Sequence, residues 1–326
     1  MRAKPVLAAL AALLAVLLIP PLISGGADDS GGQVRGLRML VPNAPGGGYD
    51  LTARTAAKAF EDAELARNVE VFNLPGAGGT VGLGRLVNER GNDRLVMSMG
   101  LGVVGSVHTN HSPATLQDTT PIARLIEEQD IIVVAKDSPY QTLGQLIEAW
   151  RADPRGVQVG GGSSPGGPDH LAAMLFAKGA GLAPKSVNYL PYDGGGELLA
   201  SVLGGKIAFG TSGVSEFRDQ IASGDLRVLA TTGAKRVEGL DAPTLRESGV
   251  EVDFANWRGI VAPPGLSGED TDRLVRLFTD LQDTKQWRDA LARNGWTPAF
   301  QPGAEFGKFL EAQNERVASV LAELGL

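Results

Sequence analysis

A serine framed by glycines, three histidines and several glycine clusters are the residues of this chain whose spacing could support chemistry. Gly162-Ser163-Ser164-Pro165-Gly166 has the GxSxG form of a nucleophile elbow, in which a serine on a sharp strand-to-helix turn attacks an acyl carbon. That chemistry takes an oxyanion-hole N–H from the residue after the serine, and Pro165 has none. Its base is a histidine that follows an acid downstream, yet the only later histidine is His170, six residues on. A serine hydrolase built on Ser164 is disfavoured. His170 opens a predicted helix, where it either touches a ligand or caps the turn. His108 and His111 have no HExxH or Cys partner and read as two exposed loop imidazoles, so no metal and no cofactor is expected. Gly100-Leu101-Gly102-Val103-Val104-Gly105 matches GxGxxG, but a dinucleotide site needs a full helix next, and Pro113 arrives after polar Thr109-Asn110-His111-Ser112. Gly204-Gly205-Lys206 lacks the upstream Gly and the Ser/Thr of a P-loop and reads as a turn closing a helix.

The remaining glycines point to anion binding by the main chain. Pro42-Asn43-Ala44-Pro45-Gly46-Gly47-Gly48-Tyr49-Asp50 follows an apolar run, 37–41, and precedes a helix-forming stretch, 51–60. A strand that breaks into such a loop and then opens a helix leaves free N–H groups at the positive end of a helix dipole. Three consecutive glycines let a carboxylate or phosphate approach with no Cβ in the way. Alone, the loop is equally well a tight strand-to-helix turn. Its recurrence favours the binding reading.

Strands and helices alternate along the chain. Strands are expected at 69–73, 95–99, 122–126, 131–135, 157–159, 187–190, 207–209, 226–231 and 258–263. Helices are expected at 81–90, 143–151, 170–178, 197–203, 270–282, 285–293 and 304–324, with one more after Gly213. The pattern argues for mainly parallel sheets flanked by helices, with ligands at the carboxyl ends of the strands. The Gly-rich loops fall in two sets, before about residue 130 and between 159 and 213, as two facing α/β lobes would place them. No internal sequence repeat is evident. Trp150, Trp287 and Trp296 read as core or lobe contacts, and Trp257 as core with a case for the lobe junction.

With 326 residues the chain accommodates two domains. Its formal charge of −7 and lack of a basic cluster argue against nucleic acid as a partner. Residues 1–27 read as a signal peptide or N-terminal anchor: Arg2 and Lys4 precede an apolar run ending at Pro20-Pro21, followed by small residues. The absence of cysteine excludes a lipoprotein cysteine and any disulfide. Residues 28–36 form a polar, Gly-rich linker.

Several stretches together resemble the substrate-binding proteins of tripartite tricarboxylate transporters, a family of extracytoplasmic solute receptors. They are Val41 to Asp50, Asn73-Leu74-Pro75-Gly76-Ala77-Gly78-Gly79-Thr80, Gly162 to Leu171, Pro191-Tyr192-Asp193-Gly194-Gly195-Gly196, Leu203-Gly204-Gly205-Lys206 and Ala242 to Gly249, in the family's usual order. The chain departs from the pattern at Asn43 and Gly48-Tyr49, and at Asp193, where a basic residue is common. That last departure puts the family's dicarboxylate preference in question.

The resemblance implies a two-lobe, Venus-flytrap periplasmic-binding-protein fold crossed twice by the chain. The strand pattern puts the crossings near Gln129 and Val252, giving one lobe of 37–129 with 252–326 and another of 130–251. The expected function is capture of a small organic carboxylate of the di- or tricarboxylate class and its delivery to the membrane subunits of such a transporter. The receptor would be non-enzymatic, monomeric and exported to the periplasm or the outer face of the cytoplasmic membrane. The Ser164 hydrolase and a ligand-binding sensor ectodomain are the alternatives. The ligand's proximal carboxylate would meet N–H groups of Gly47, Gly48, Tyr49 and Asp50, bordered by Ala77, Gly78, Gly79 and Thr80. The Ser163 and Ser164 hydroxyls and the Gly166–Gly167 loop would lie opposite. Asp193, Gly194 and Gly195 with Thr211, Ser212 and Gly213 would meet the distal end.

Overall fold

A computed structural model describes residues 33–325 of the chain, so the expected leader and most of the linker lie outside the described residues. In order, the elements are β1 (Val34–Arg35), β2 (Arg38–Val41), α1 (Gly48–Asp62), β3 (Ala66–Arg67), β4 (Glu70–Asn73), α2 (Thr80–Asn88), β5 (Leu95–Gly100), α3 (Leu101–Thr109) and β6 (Thr120–Glu128). Then come β7 (Asp130–Ala135), α4 (Leu143–Ala152), β8 (Val159–Gly161), α5 (Pro168–Gly179), β9 (Tyr189–Pro191), α6 (Gly195–Leu203), β10 (Phe209–Gly213), α7 (Arg218–Ala222) and β11 (Leu226–Thr231). The chain ends with β12 (Asn256–Ala262), α8 (Gly268–Gln282), α9 (Lys285–Asn294), β13 (Thr297–Pro302) and α10 (Gly303–Leu324).

Two sheets carry the lobes. One has strand order β13-β6-β12-β5-β2-β4 and the other β11-β7-β10-β8-β9. In each, one strand–helix–strand portion is parallel: β2 runs with β4 and β5, and β8 runs with β9 and β10. The other pairings in these sheets are antiparallel, so the sheets are mixed rather than mainly parallel. The reason is the route of the chain. A single residue, Gln129, separates β6 from β7, and no helix intervenes between β11 and β12. A strand that enters a sheet without a crossover helix runs against those fed through one. Apolar residues close each layer. Trp150 packs on Phe176 and Phe209 with ring centroids 5.1 and 4.9 Å away, and Trp287 lies 6.1 Å from Trp296. Trp257 is a core residue, edge-on to Phe306 and Phe309.

Three local expectations are corrected. Residues 101–109, where no helix was expected, form α3, whose residues from Leu101 to Val107 are all buried. Packing outweighs the weak helix propensity of Gly102, Gly105 and Ser106 there. His108 consequently sits on a helix, its Nε2 2.9 Å from Asn314 Oδ1. Thr211, Ser212 and Gly213 are not a loop after a strand; they belong to buried β10. β13 was not foreseen, because Pro298 and Pro302 demote the stretch, yet it lies at a sheet edge where proline is tolerated.

Candidate functional site

The two loops that open α1 and α5 are built alike. Ala44-Pro45-Gly46-Gly47 and Ser164-Pro165-Gly166-Gly167 each place their third residue at φ +86°, which glycine adopts without strain. The fourth residue caps the helix, with φ −77° in both, and accepts from Leu51 or Leu171 N–H at 2.9 Å. In both, the N–H of the left-handed glycine donates to the side chain four residues on: Gly46 to Asp50 Oδ2 at 2.9 Å, Gly166 to His170 Nδ1 at 3.2 Å. The two lobes thus present the same turn, one from each sheet, through different chemistry.

Between them lies a small cavity of about 60 Å³. Pro42, Asn43, Gly48, Tyr49 and Gly78 line it from one side, with Gly102 and Ser106 of α3. Gly162, Ser163, Ser164, Gly167, Pro168, Asp169, Tyr192, Asp193 and Glu216 line it from the other, and Asn256 and Arg258 of β12 close it. At roughly 10–15 Å³ per water-sized group on this measure, the space admits about four to six such groups.

The floor of the cavity is a buried charge cluster. Arg258 Nη2 lies 2.7 Å from Glu128 Oε2 and 3.8 Å from Glu216 Oε1. Burial alone would lower the Arg258 pKa, but the carboxylates of Glu128 and Glu216 more than offset it and raise it. Glu128 Oε1 also accepts from Ser215 N–H at 2.5 Å. Burial pushes Glu216 up to about 7 against the opposing pull of Arg258. The Gly195 N–H at the start of α6 donates to Glu216 Oε2 at 3.0 Å, and the Gly48 N–H at the start of α1 also favours its ionised form. Asp130 and Asp169 are raised well above the usual carboxylate range by burial and by neighbouring carboxyls. Burial and then Glu197 raise Asp193, while the Ala44 N–H across the cleft opposes that shift. Burial pushes the Tyr49 phenol up to about 12, and its hydroxyl sits beside the N–H groups of Gly102 and Val103.

Of the residues expected to bind, Gly48, Tyr49, Gly78, Ser163, Ser164, Gly167 and Asp193 line the cavity. The rest stand beside or behind it. A Cβ on Gly194 would come 3.6 Å from the Cα of Gly47, so these two glycines meet across the cleft. Asp50 is taken up by Arg54, Asn73 and the Gly46 N–H, and braces the loop. Ala77 and Gly79 form a short 3-10 turn into Thr80, whose hydroxyl donates back to Ala77 O at 3.0 Å. Gly166 abuts Gly105, and Gly195 serves Glu216. His170 lies outside the lining and caps its turn; burial depresses its pKa to about 4. Thr211 donates to Asp169 O at 2.9 Å from within β10, and Ser212 and Gly213 are buried in that strand.

Sequence reasoning missed Asp169, Glu216, Asn256 and Arg258. The available signal was a charged residue inside an apolar strand, Trp257-Arg258-Gly259-Ile260-Val261, with acids at the ends of the strands around it.

The comparisons with known proteins agree with this architecture. The model of a family described as tripartite tricarboxylate transporter family receptor matches residues 52–326. Protein BugT of Bordetella pertussis is 28% identical over 297 residues, covering 89% of this chain and 90% of BugT. An R. palustris protein solved with adipate superposes with a TM-score of 0.81 at 23% identity, over 89% of this chain and 97% of that one. MatC from Rhodopseudomonas palustris, with bound malate, gives a TM-score of 0.77 at 20% identity over 88% and 99%.

Proposed function

The chain belongs to the tripartite tricarboxylate transporter receptor family, and on that premise we propose that it is a non-enzymatic solute receptor. It captures a small carboxylate outside the cytoplasm and hands it to the membrane subunits of a tripartite transporter. It acts as a monomer in the periplasm or on the outer face of the cytoplasmic membrane. Di- and tricarboxylates are the family's class, and the malate and adipate in the two related structures make them the first acids to try. The lobes divide near Gln129 and Val252, and the ligand lies between them.

The observation that carries this reading is the cavity itself, lined by matching helix-opening loops from both sheets. Such loops bind a guest by main-chain dipoles and let the lobes close on it. The hydrolase alternative is weakened by the state of its base. His170 Nδ1 accepts from Gly166 N–H, and the ring does not reach the cavity that Ser164 lines.

Thermal unfolding of the purified protein against a panel of small mono-, di- and tricarboxylates tests the proposal. At least one acid is expected to raise Tm in a concentration-dependent way. No rise with any acid up to millimolar concentration, together with a clear response to a sugar, would overturn it.

A further inference from the structure

We propose that the cavity is built for a small zwitterion, a monocarboxylate carrying a cationic nitrogen, in preference to a dicarboxylate. This names the ligand class of the receptor reading above and rests on it.

Three of the main-chain N–H groups that open onto the cleft already serve the protein's own carboxyls. Glu216 takes the N–H of Gly195 and is favoured by that of Gly48; Asp193 is favoured by that of Ala44. Arg258, the one cation among the described lining residues, is held by Glu128 at 2.7 Å. A second ligand carboxylate at this end would therefore face Asp169, Asp193 and Glu216, with the unpartnered Nε of Arg258 as the one cationic donor left among the described lining residues. Burial already holds these acids above the usual carboxylate range, so a further anion would drive them higher, whereas a cation beside them favours their ionised form. An ammonium group in the same place meets three acidic acceptors instead.

Neutral groups add two independent observations. Asn256 is 4% exposed and lines the cavity, yet its Oδ1 has no hydrogen-bond partner among the described residues. A buried acceptor without a donor costs free energy, and an N–H-bearing ligand supplies one. Ser106, 1% exposed, also lines the cavity and has an unpartnered Oγ. A Cβ on Gly78 would stand 2.0 Å from Ser106 Oγ and 3.2 Å from Ser164 Oγ, so the two hydroxyls converge there. That end offers uncharged donors to a carboxylate and no acid. The cavity thus has a donor end and an acidic end, and its volume of about 60 Å³ fits a short molecule spanning them.

Calorimetry on the purified protein with three length-matched series tests this. The probes are glycine, β-alanine and 4-aminobutyrate; malonate, succinate and glutarate; and acetate, propionate and butyrate. The best amino acid is expected to bind at least tenfold tighter than the diacid and the monoacid of its length. Asp193→Asn, at the rim, is expected to erode that preference about tenfold without weakening the diacid. A diacid or monoacid that binds as tightly as the matched amino acid would overturn this inference and leave the carboxylate receptor standing. So would a preference left unchanged by both Asp193→Asn and Glu216→Gln. Binding by none of the nine would overturn this inference, and the same titration with malate and adipate then decides separately whether the receptor reading stands.

Discussion

Burial keeps the His170 imidazole uncharged at the start of its helix, and the Gly166 N–H occupies its Nδ1 lone pair. Its pKa in the fold is about 4 against 6.5 when exposed. Between those values the unfolded chain binds the proton and the native one does not, so the contribution is complete above pH 6.5 and lost as pH falls through 4. The difference corresponds to something on the order of 3 kcal/mol. Asn at this position offers an oxygen where Nδ1 sits. We expect the stability gap between the parent and His170→Asn to narrow steadily from pH 7.5 to pH 4, as read by urea unfolding. A gap independent of pH would mean that His170 titrates normally. The sequence left this residue open between ligand contact and turn cap, because spacing alone does not reveal which way an imidazole faces. Asp50 shows the same limit: the expectation concerned its N–H alone, and spacing did not reveal that its carboxylate braces the loop.

Strand β12 carries a polar pair, Asn256 and Arg258, through the middle of the six-stranded sheet, and β6 ends on the matching acid, Glu128. Replacing one partner of a buried ion pair leaves the other desolvated, which costs about 3–5 kcal/mol. Arg258→Leu should lose stability in that range at pH 8. Without Arg258, Glu216 loses the charge that pulls its pKa down and moves further above its unfolded value, so its contribution is present at low pH and disappears as pH rises. The loss should therefore be clearly smaller at pH 5 than at pH 8 in denaturant titrations, and a larger loss at pH 5 would refute the account. Apolar runs made most strands legible; β11 occupies the expected 226–231. The helix α3 was hidden by its glycines, β13 by its prolines, and β10 by the small residues Thr211 to Gly213. Glu216 and Arg258 were hidden for another reason: the fold brings them together from distant segments, which local spacing cannot report. The recurrence of the Gly-rich loops was legible, but the residue-by-residue match of the turns opening α1 and α5 was not, because they share backbone geometry and a Pro-Gly-Gly core but little else.

The lobes meet backbone to backbone where Gly105 faces Gly166. A Cβ at Gly105 would fall 1.9 Å from Gly166 O, about 1.5 Å short of ordinary contact. Gly105→Ala should raise the helix propensity of α3 by up to about 1 kcal/mol while holding the cleft ajar. Ligand affinity is then expected to fall tenfold or more, and small-angle scattering should show a larger radius of gyration at saturation than in the parent. Unchanged affinity and scattering would show that this contact does not limit closure. The route of the chain through the two sheets also governs the order in which the protein can form. β5 and β6 are joined only through β12, and β12 begins at Asn256. As the polypeptide emerges from the ribosome, its first sheet stays split until the last quarter of the message has been translated. Pairing across that separation is slow. For a receptor that works outside the cytoplasm, as proposed above, the delay would keep the largest sheet unmade during passage through a secretion channel.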